Sequence, residues 1–364
     1  MPNKKAYMLY SVATDTTGQA LANALEIDHG YELPGTKYDV FIMWGAKLQD
    51  DVQLPPGAAV LNHPKAINTN RNKFKAMTLM KESGRINIAP FADASEVLSQ
   101  LEHGSPTIEL PCVGRLNYHQ GGEDFFLCLT KNHVKSFGEK LKSVFRKRGY
   151  FQKFIDSKKE YRIHVFQGKI IAAAEKTERQ DLQQAYIKQQ AEKLLGQAKK
   201  NDIQIDDRTL QFVLKEQAAN LKTADPIVRS NTRGYKFAPV KTEAVPEEAL
   251  RQACEAVHVL GLDFGAVDCA VDFNDKVWIL EVNTGPGLEG TAFDSYVKSF
   301  KQVLSEGKNA QNKDDYAKEA PAPEMIDRGR VASAERLRLL ADMMEVANDD
   351  EAAMINRLAR KLFS

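Results

Sequence analysis

The chain has 364 residues, which at about 150 residues per domain suggests two to three domains and excludes a lone small binding module. Hydrophobic residues make up 43% and charged residues 27%, so most of the chain can bury a core, and collagen, coiled-coil and low-complexity readings fail. Lys and Arg number 50 against 49 Asp and Glu, a net charge of +1, so no global basic field exists to hold nucleic acid or a membrane.

The opening MPNKKAYMLYSVATD is too short and polar for a signal peptide, and no run of about 18 apolar residues follows. Cys112, Cys128, Cys254 and Cys269 are far apart in the chain with no CxxC pair, so a reducing, cytoplasmic location is expected.

In chain order, an apolar strand over Ala6 to Val12 leads into a helical pattern at Ala20, Leu21, Ala24 and Leu25, then a strand over Tyr38 to Trp44. A short strand at Ala58 to Leu61 meets an Asn62-His63-Pro64 turn, and a helix runs from about Arg71 to Gly84. Next come LPCVGRL, the polar loop NYHQGGED, FFLCLT, a basic helix GEKLKSVFRKR and the strand YFQKFI. EYRIHVF and KIIAAAE flank Gln167-Gly168, a two-residue hairpin turn. From about 177 to 225 the pattern changes to Gln, Ala and Lys at helical spacing, read as an inserted helical hairpin with eight basic and eight acidic residues. A helix near Glu247 to Leu260 precedes a final hairpin over Phe264 to Val282. A polar linker and two amphipathic helices close the chain.

The chemistry concentrates in GAVDCAVDFNDKVWILEVN. A two-residue Asn274-Asp275 turn puts Asp268 directly opposite Glu281, with Cβ atoms about 4.5 to 5.5 Å apart, where like charges destabilise a ladder. Asn283 projects from the same face, and Val267, Cys269, Val271, Phe273, Trp278, Leu280 and Val282 form an apolar face opposite. A divalent cation would relieve the repulsion, and an all-oxygen set with room for phosphate suits Mg²⁺, with its about six ligands. Alternatively each carboxylate pairs separately with Lys or Arg, and a one-residue slip would separate the two. Spacing alone leaves both readings standing. Gly121 and Gly122 offer backbone N–H groups to a phosphate or simply make a turn, while Lys73, Arg115, Arg162 and Arg229 are the nearby cations.

Five stretches in order, NRNKFKAMTLMKESG, LPCVGRLNYHQGGED, YFQKFIDSKKEYRIHVFQGKIIAA, VRSNTRG and FGAVDCAVDFNDKVWILEVNTGPGLEG, resemble the ATP-grasp ligases. The resemblance is closest to the branch containing the ligase that adds glutamates to a ribosomal protein. It covers about residues 60 to 300 without the insert. It implies an α/β and α+β fold: an N-terminal α/β domain at 1–75 and a central lobe at 76–156. A C-terminal lobe at 157–305 would carry the insert, and a linker and helical tail would fill 306–364.

By position, the resemblance implies that Asp268, Glu281 and Asn283 hold Mg²⁺, with Mn²⁺ as a substitute, and that Lys73 and Arg115 hold the phosphates of ATP. Gln152, Lys153, Phe154 and Ile155 would wrap adenine, with the backbone of Lys153 and Phe154 reading its edge. Glu160 would bind ribose, and Arg162, Arg229 and Asn231 would sit at the reaction centre. Arg115 stands where the family has a lysine, and Lys153 where the nearest relatives have an acid.

The implied reaction phosphorylates a carboxylate with ATP, and an amine from an amino acid, peptide or protein tail attacks the acyl phosphate to form an amide. Two rivals are a kinase of phosphorylated or acidic small molecules and a catalytically silent nucleotide-binding protein. The stretch 131–162 carries eleven Lys or Arg against three acids, so it is either a solvated face or the contact for an acidic acceptor, with nucleic acid the weaker alternative. The tail helices suit packing or self-association, and the insert a lid, an acceptor element or a structural part.

Overall fold

The computed structural model describes residues 5–50, 52–103, 108–119, 125–141, 148–179 and 235–306. Among these, residues up to Glu175 and from Pro239 onward form one compact unit, while 176–179 and 235–238 belong to a second.

Strands β1 (Ala6–Tyr10), β2 (Asp28–Gly30), β3 (Val40–Trp44) and β4 (Ala59–Leu61) form a parallel sheet in the order β2-β1-β3-β4. Every residue of β1 and β3 is buried, as continuous apolar runs require when both faces of a parallel sheet are covered. Helix α1 (Thr16–Leu25) joins β1 to β2, and Asp15 caps it by accepting from the Gly18 N–H at 2.8 Å. The expected helix over Arg71 to Gly84 is two helices, α2 (Pro64–Arg71) and α3 (Lys73–Glu82). Asn72 makes the break: its backbone is extended and its side chain accepts from the Lys75 N–H at 3.1 Å, so it starts a new helix. Pro64 begins α2, where its missing N–H costs nothing.

The central sheet is antiparallel, with β5 (Phe91–Asp93), β8 (Gly149–Lys153), β6 (Cys112–Leu116) and β7 (Phe126–Cys128) in that order. Helices α4 (Ala94–Glu102) and α5 (Lys131–Lys140) share its core through Val97, Val134, Phe137 and Phe151. The basic helix starts at Lys131 instead of Gly138, because Thr130 caps it by accepting from the His133 N–H. Gly149 on β8 is paired with Leu116 of β6, and a Cβ there would lie 2.6 Å from the Arg115 carbonyl oxygen and 2.8 Å from Leu141. Gly149→Ala is therefore expected to cost about 2 kcal/mol, measured as a lower melting temperature, because backbone cannot swing aside as a side chain can.

The third sheet runs β11-β10-β9-β12-β13. It comprises β9 (Ser157–Phe166), β10 (Lys169–Glu178), β11 (Tyr235–Val240), β12 (Phe264–Asp272) and β13 (Val277–Asn283). Gln167 and Gly168 both have positive φ, 44° and 73°, as a two-residue hairpin turn requires. The strand β10 continues through Glu178, so the first residues assigned to the insert are strand, and 180–225 lie outside the described residues. Helix α6 (Glu247–Val259) follows β11. A seventh helix, α7 (Gly290–Glu306), was not anticipated from the pattern. It buries Tyr296 and Phe300 against Trp44, Phe166 and Phe264; the Trp44 and Phe264 rings stack at 5.6 Å, and Tyr296 meets Trp44 edge-on at 5.3 Å. The linker and tail from residue 307 lie outside the described residues.

Asn62, just past β4, is fully buried with φ of 60°. Its Oδ1 accepts from the N–H groups of Asp263 and Phe264 at 2.7 and 3.1 Å, its Nδ2 donates to the Phe264 carbonyl at 3.0 Å, and its own N–H donates to Asp263 Oδ2 at 2.7 Å. The residue read as a turn is thus the joint between the first sheet and the start of β12.

Candidate active site

Asp268 and Glu281 face each other across β12 and β13, and Arg162 on β9 is paired with Asp268 on its other side, so three strands set cation, anion and anion in one row. The route to this register differs from the one expected. The loop holds three residues, Phe273, Asn274 and Asp275, closed by the Asp272 N–H donating to the Lys276 carbonyl, with Asp275 left-handed. Leu280 then drops out of the ladder as a bulge, which restores the opposition of Asp268 and Glu281. Between loop and bulge the faces are exchanged. Val277 and Ile279 are buried where Trp278 and Leu280 were expected, and Phe273 is 61% exposed. Trp278 instead donates its indole N–H to Asp272 at 2.8 Å, with Lys276 over its ring.

The Arg162 fork donates Nε–H and Nη2–H to the two oxygens of Asp268, both at 2.7 Å. Lys73, the first residue of α3, places Nζ 3.3 Å from Glu281 Oε2 and 3.3 Å from the Val282 carbonyl. Asn283 spans the carboxylates, its Nδ2 lying 3.4 Å from Asp268 Oδ2 and from Glu281 Oε1. Burial alone would raise the Glu281 carboxyl, but the neighbouring basic groups, Lys73 first and then His119, Arg115 and Arg162, hold it well below the usual carboxylate range. Rotating the Asn283 amide by half a turn would present an oxygen beside the two carboxylates. That all-oxygen set fits a hard divalent cation once phosphate oxygens or water complete it. Among the described residues no cluster of three or more His, Cys, Asp and Glu could hold a metal.

No family model matches the chain, and no curated protein matches its sequence. Solved structures do match. The ATP-grasp ligase PsnB complexed with a minimal precursor superposes with a TM-score of 0.53 at 11% identity, covering 84% of this chain and 100% of PsnB. PsnB complexed with a phosphomimetic variant of that precursor, Mg and ADP gives 0.51 at 10% identity, over 84% and 99%. D-alanine–D-alanine ligase from Bacillus anthracis gives 0.52 at 12% identity, over 83% and 99%. The chain has the ATP-grasp fold.

Within the ATP-grasp frame the other sequence-predicted residues fall as follows. Arg115 on β6 donates from Nη2 to His119 Nδ1 at 2.7 Å and lies over the Phe125 ring at 5.7 Å. Ser157 donates to Glu160 at 3.1 Å. Gly121, Gly122, Arg229 and Asn231 lie outside the described residues.

The backbone N–H groups of Lys153 and Phe154, expected at the adenine edge, make hydrogen bonds within the protein. Strand β8 is paired on both edges, by β5 and β6, and the chain stays engaged where it leaves the sheet. The Lys153 N–H donates to the Pro90 carbonyl at 2.7 Å, and the Phe154 N–H to the Pro111 carbonyl at 3.1 Å. The next N–H along the chain is that of Ile155. The Gln152 amide meets the sulfur of Met77 at 3.3 Å.

The basic stretch loses much of its field to pairing. Lys153 pairs with Glu109, Lys158 with Asp275, Lys159 with Glu175 and Arg162 with Asp268. Four of its charges thus meet acids outside the stretch. His119 was passed over in the sequence. The signal that could have found it is its place four residues after Arg115 and directly before the glycine loop. It is buried enough that, with Arg115 adding repulsion, its imidazole is pushed down to about 3 and is neutral at physiological pH.

Proposed function

We propose that the chain is an ATP-dependent carboxylate–amine ligase, and the observation that carries this is the row of Arg162, Asp268 and Glu281 with Lys73 and Asn283 closing on it. The five quoted motifs support the branch containing the ribosomal-protein glutamate ligase. The precursor bound by PsnB supports a peptide as one of the substrates, an amino acid or protein tail being the alternative. Asp268, Glu281 and Asn283 would hold Mg²⁺, with Mn²⁺ as a substitute. When bound, that cation supplies charge neutralisation and alignment for the β- and γ-phosphates. Magnesium and ADP bound together in PsnB support Mg²⁺ as the cation that accompanies the nucleotide.

The carboxylate oxygen of the substrate attacks the γ-phosphorus and ADP leaves, giving an acyl phosphate. The amine then attacks the carbonyl carbon, the C–O bond to phosphate breaks, and the amine loses a proton. The side chains position and neutralise in this scheme and form no covalent bond. Arg162 and Lys73 each pair with a carboxylate of the row, and Arg115, which donates to His119, would be a further cation for phosphate. Gln152 and the chain through Ile155 would take the adenine, with Ile155 in place of Lys153 and Phe154 as backbone donor, and Glu160 the ribose. Gly121 and Gly122 would cover the phosphates, and Arg229 and Asn231 would complete the reaction centre.

The test supplies Mg²⁺, ATP, pooled amino acids and short acidic peptides, with hydroxylamine as a surrogate amine. Hydroxamate and free phosphate are expected to rise together. Consumption of ATP without free phosphate would instead identify a kinase, and nucleotide binding without turnover a silent binder.

A further inference from the structure

Strand β13 ends its sheet, and two asparagines grip its outer edge on either side of the bulge. Before the bulge, Asn87 donates Nδ2–H to the Val277 carbonyl at 3.1 Å, and its own carbonyl accepts the Ile279 N–H at 2.9 Å. After it, Asn70 in the last turn of α2 donates Nδ2–H to the Val282 carbonyl at 2.8 Å. Outward-facing backbone groups thus fall at Val277, Ile279 and Val282, and the longer second step is the extra residue of the bulge. Val282 is the residue between Glu281 and Asn283.

The Val282 carbonyl also has a charged donor. Lys73 Nζ lies 3.3 Å from the same oxygen and 3.3 Å from Glu281 Oε2. A carbonyl oxygen has two lone pairs, so the amide and the ammonium are accepted together. If the ammonium turns toward a phosphate, the amide keeps the oxygen satisfied. Without the amide, the same movement strands a carbonyl on a residue that is 1% exposed. The amide has one workable orientation, because half a turn would set Oδ1 against the carbonyl oxygen, acceptor against acceptor. In that orientation the Asn70 Oδ1 is buried without a partner among the described residues. An asparagine that leaves its acceptor unused at a buried position is there for its donor.

We propose that Asn70 is a positioning residue of the nucleotide site: by holding the Val282 carbonyl, it lets the Lys73 ammonium move to the phosphates of ATP without loosening the backbone that carries Glu281 and Asn283. This rests on the assignment of Lys73 to the phosphates made above.

The experiment measures the Kd of ATP with Mg²⁺ by calorimetry, with a melting curve for each variant. Asn70→Leu keeps the volume and removes the donor. It is expected to bind ATP about tenfold more weakly, the scale of one buried polar group left unpaired on binding. In a Lys73→Met background the carbonyl is unpaired before and after binding, so Asn70→Leu should change the Kd less than about twofold. Melting without nucleotide should show the opposite coupling. Either single variant leaves the carbonyl one donor and the double variant leaves none, so the double variant should lose more than the sum of the singles.

An equal effect of Asn70→Leu on the Kd in both backgrounds would show that Asn70 acts by packing alone and would overturn the proposal. Additive melting losses would overturn it too. If Asn70→Leu does not fold, Asn70→Ala in the same two backgrounds decides the matter. Wild-type protein that binds no nucleotide, or binds it with indifference to Lys73→Met, would overturn the underlying assignment and the proposal with it. Binding that is weakened by Lys73→Met but indifferent to Asn70→Leu would overturn the proposal alone.

Discussion

Glu281→Gln is expected to lower ATP-dependent hydroxamate and phosphate release by at least about 100-fold while leaving the protein folded. The substitution keeps the shape of the side chain and removes its charge. Glu281 is one of two acidic members of the proposed cation site, and metal-borne charge stabilisation is worth several kcal/mol at about 1.4 kcal/mol per factor of ten. Structurally the change is milder. Lys73 loses the carboxylate at 3.3 Å but keeps the Val282 carbonyl at 3.3 Å, so its ammonium is not stranded. A matched control is Glu248→Gln, which removes an acid paired with Arg251 on the exposed side of α6. Such a pair is worth about 0 to 1 kcal/mol, and turnover there should stay within about twofold of wild type. If Glu281→Gln and Glu248→Gln behave alike, the carboxylate row is not where ATP is used.

The juxtaposition behind that prediction was legible in the sequence for a reason only partly correct. A two-residue turn and uninterrupted pairing give the opposition of Asp268 and Glu281, and so do a three-residue loop and a bulge at Leu280. The one-residue difference in the loop and the extra residue in the strand cancel above Cys269 and show only below it, at Val277, Trp278 and Ile279. The apolar alternation could not expose the bulge, because Val277, Trp278, Ile279 and Leu280 are all hydrophobic and either register looks amphipathic. The parallel strands β1 and β3 were readable because unbroken apolar runs have few other uses. Helix α7 was not, because its buried Tyr296 and Phe300 sit among Ser, Lys and Gln that look like a surface segment until Trp44 and Phe264 are brought beside them. At the hinge, side-chain identity says nothing about which backbone N–H groups the neighbouring strands have already taken. His119 was hidden for a related reason: its partners Arg115 and Tyr150 come beside it only in the fold, and the latter is 31 residues away.

Asn62 extends that argument to stability. Asn62→Ala is expected to destabilise the protein by about 4 kcal/mol and to lower its melting temperature by about 10 °C, at about 2 to 4 °C per kcal/mol for a unit of this size. Two effects combine. Alanine at φ of 60° bears the left-handed penalty of about 1 to 2 kcal/mol that Asn tolerates better. The N–H groups of Asp263 and Phe264, buried where β12 begins, also lose their shared acceptor, and an unsatisfied buried group costs about 1 to 3 kcal/mol. Asn62→Gly separates the two, since glycine removes the backbone penalty and restores none of the side-chain hydrogen bonds. It should recover about 1 kcal/mol of the loss and no more. A purely local turn, the reading the Asn62-His63-Pro64 sequence invites, predicts the opposite, with Asn62→Gly melting like wild type. The difference bears on the site because Asp268 follows Phe264 by four residues on the same strand. A loosened Asn62 joint releases the end of the strand that sets Asp268 against Glu281, so Asn62→Gly is expected to raise the KM for ATP as well as to lower the melting temperature.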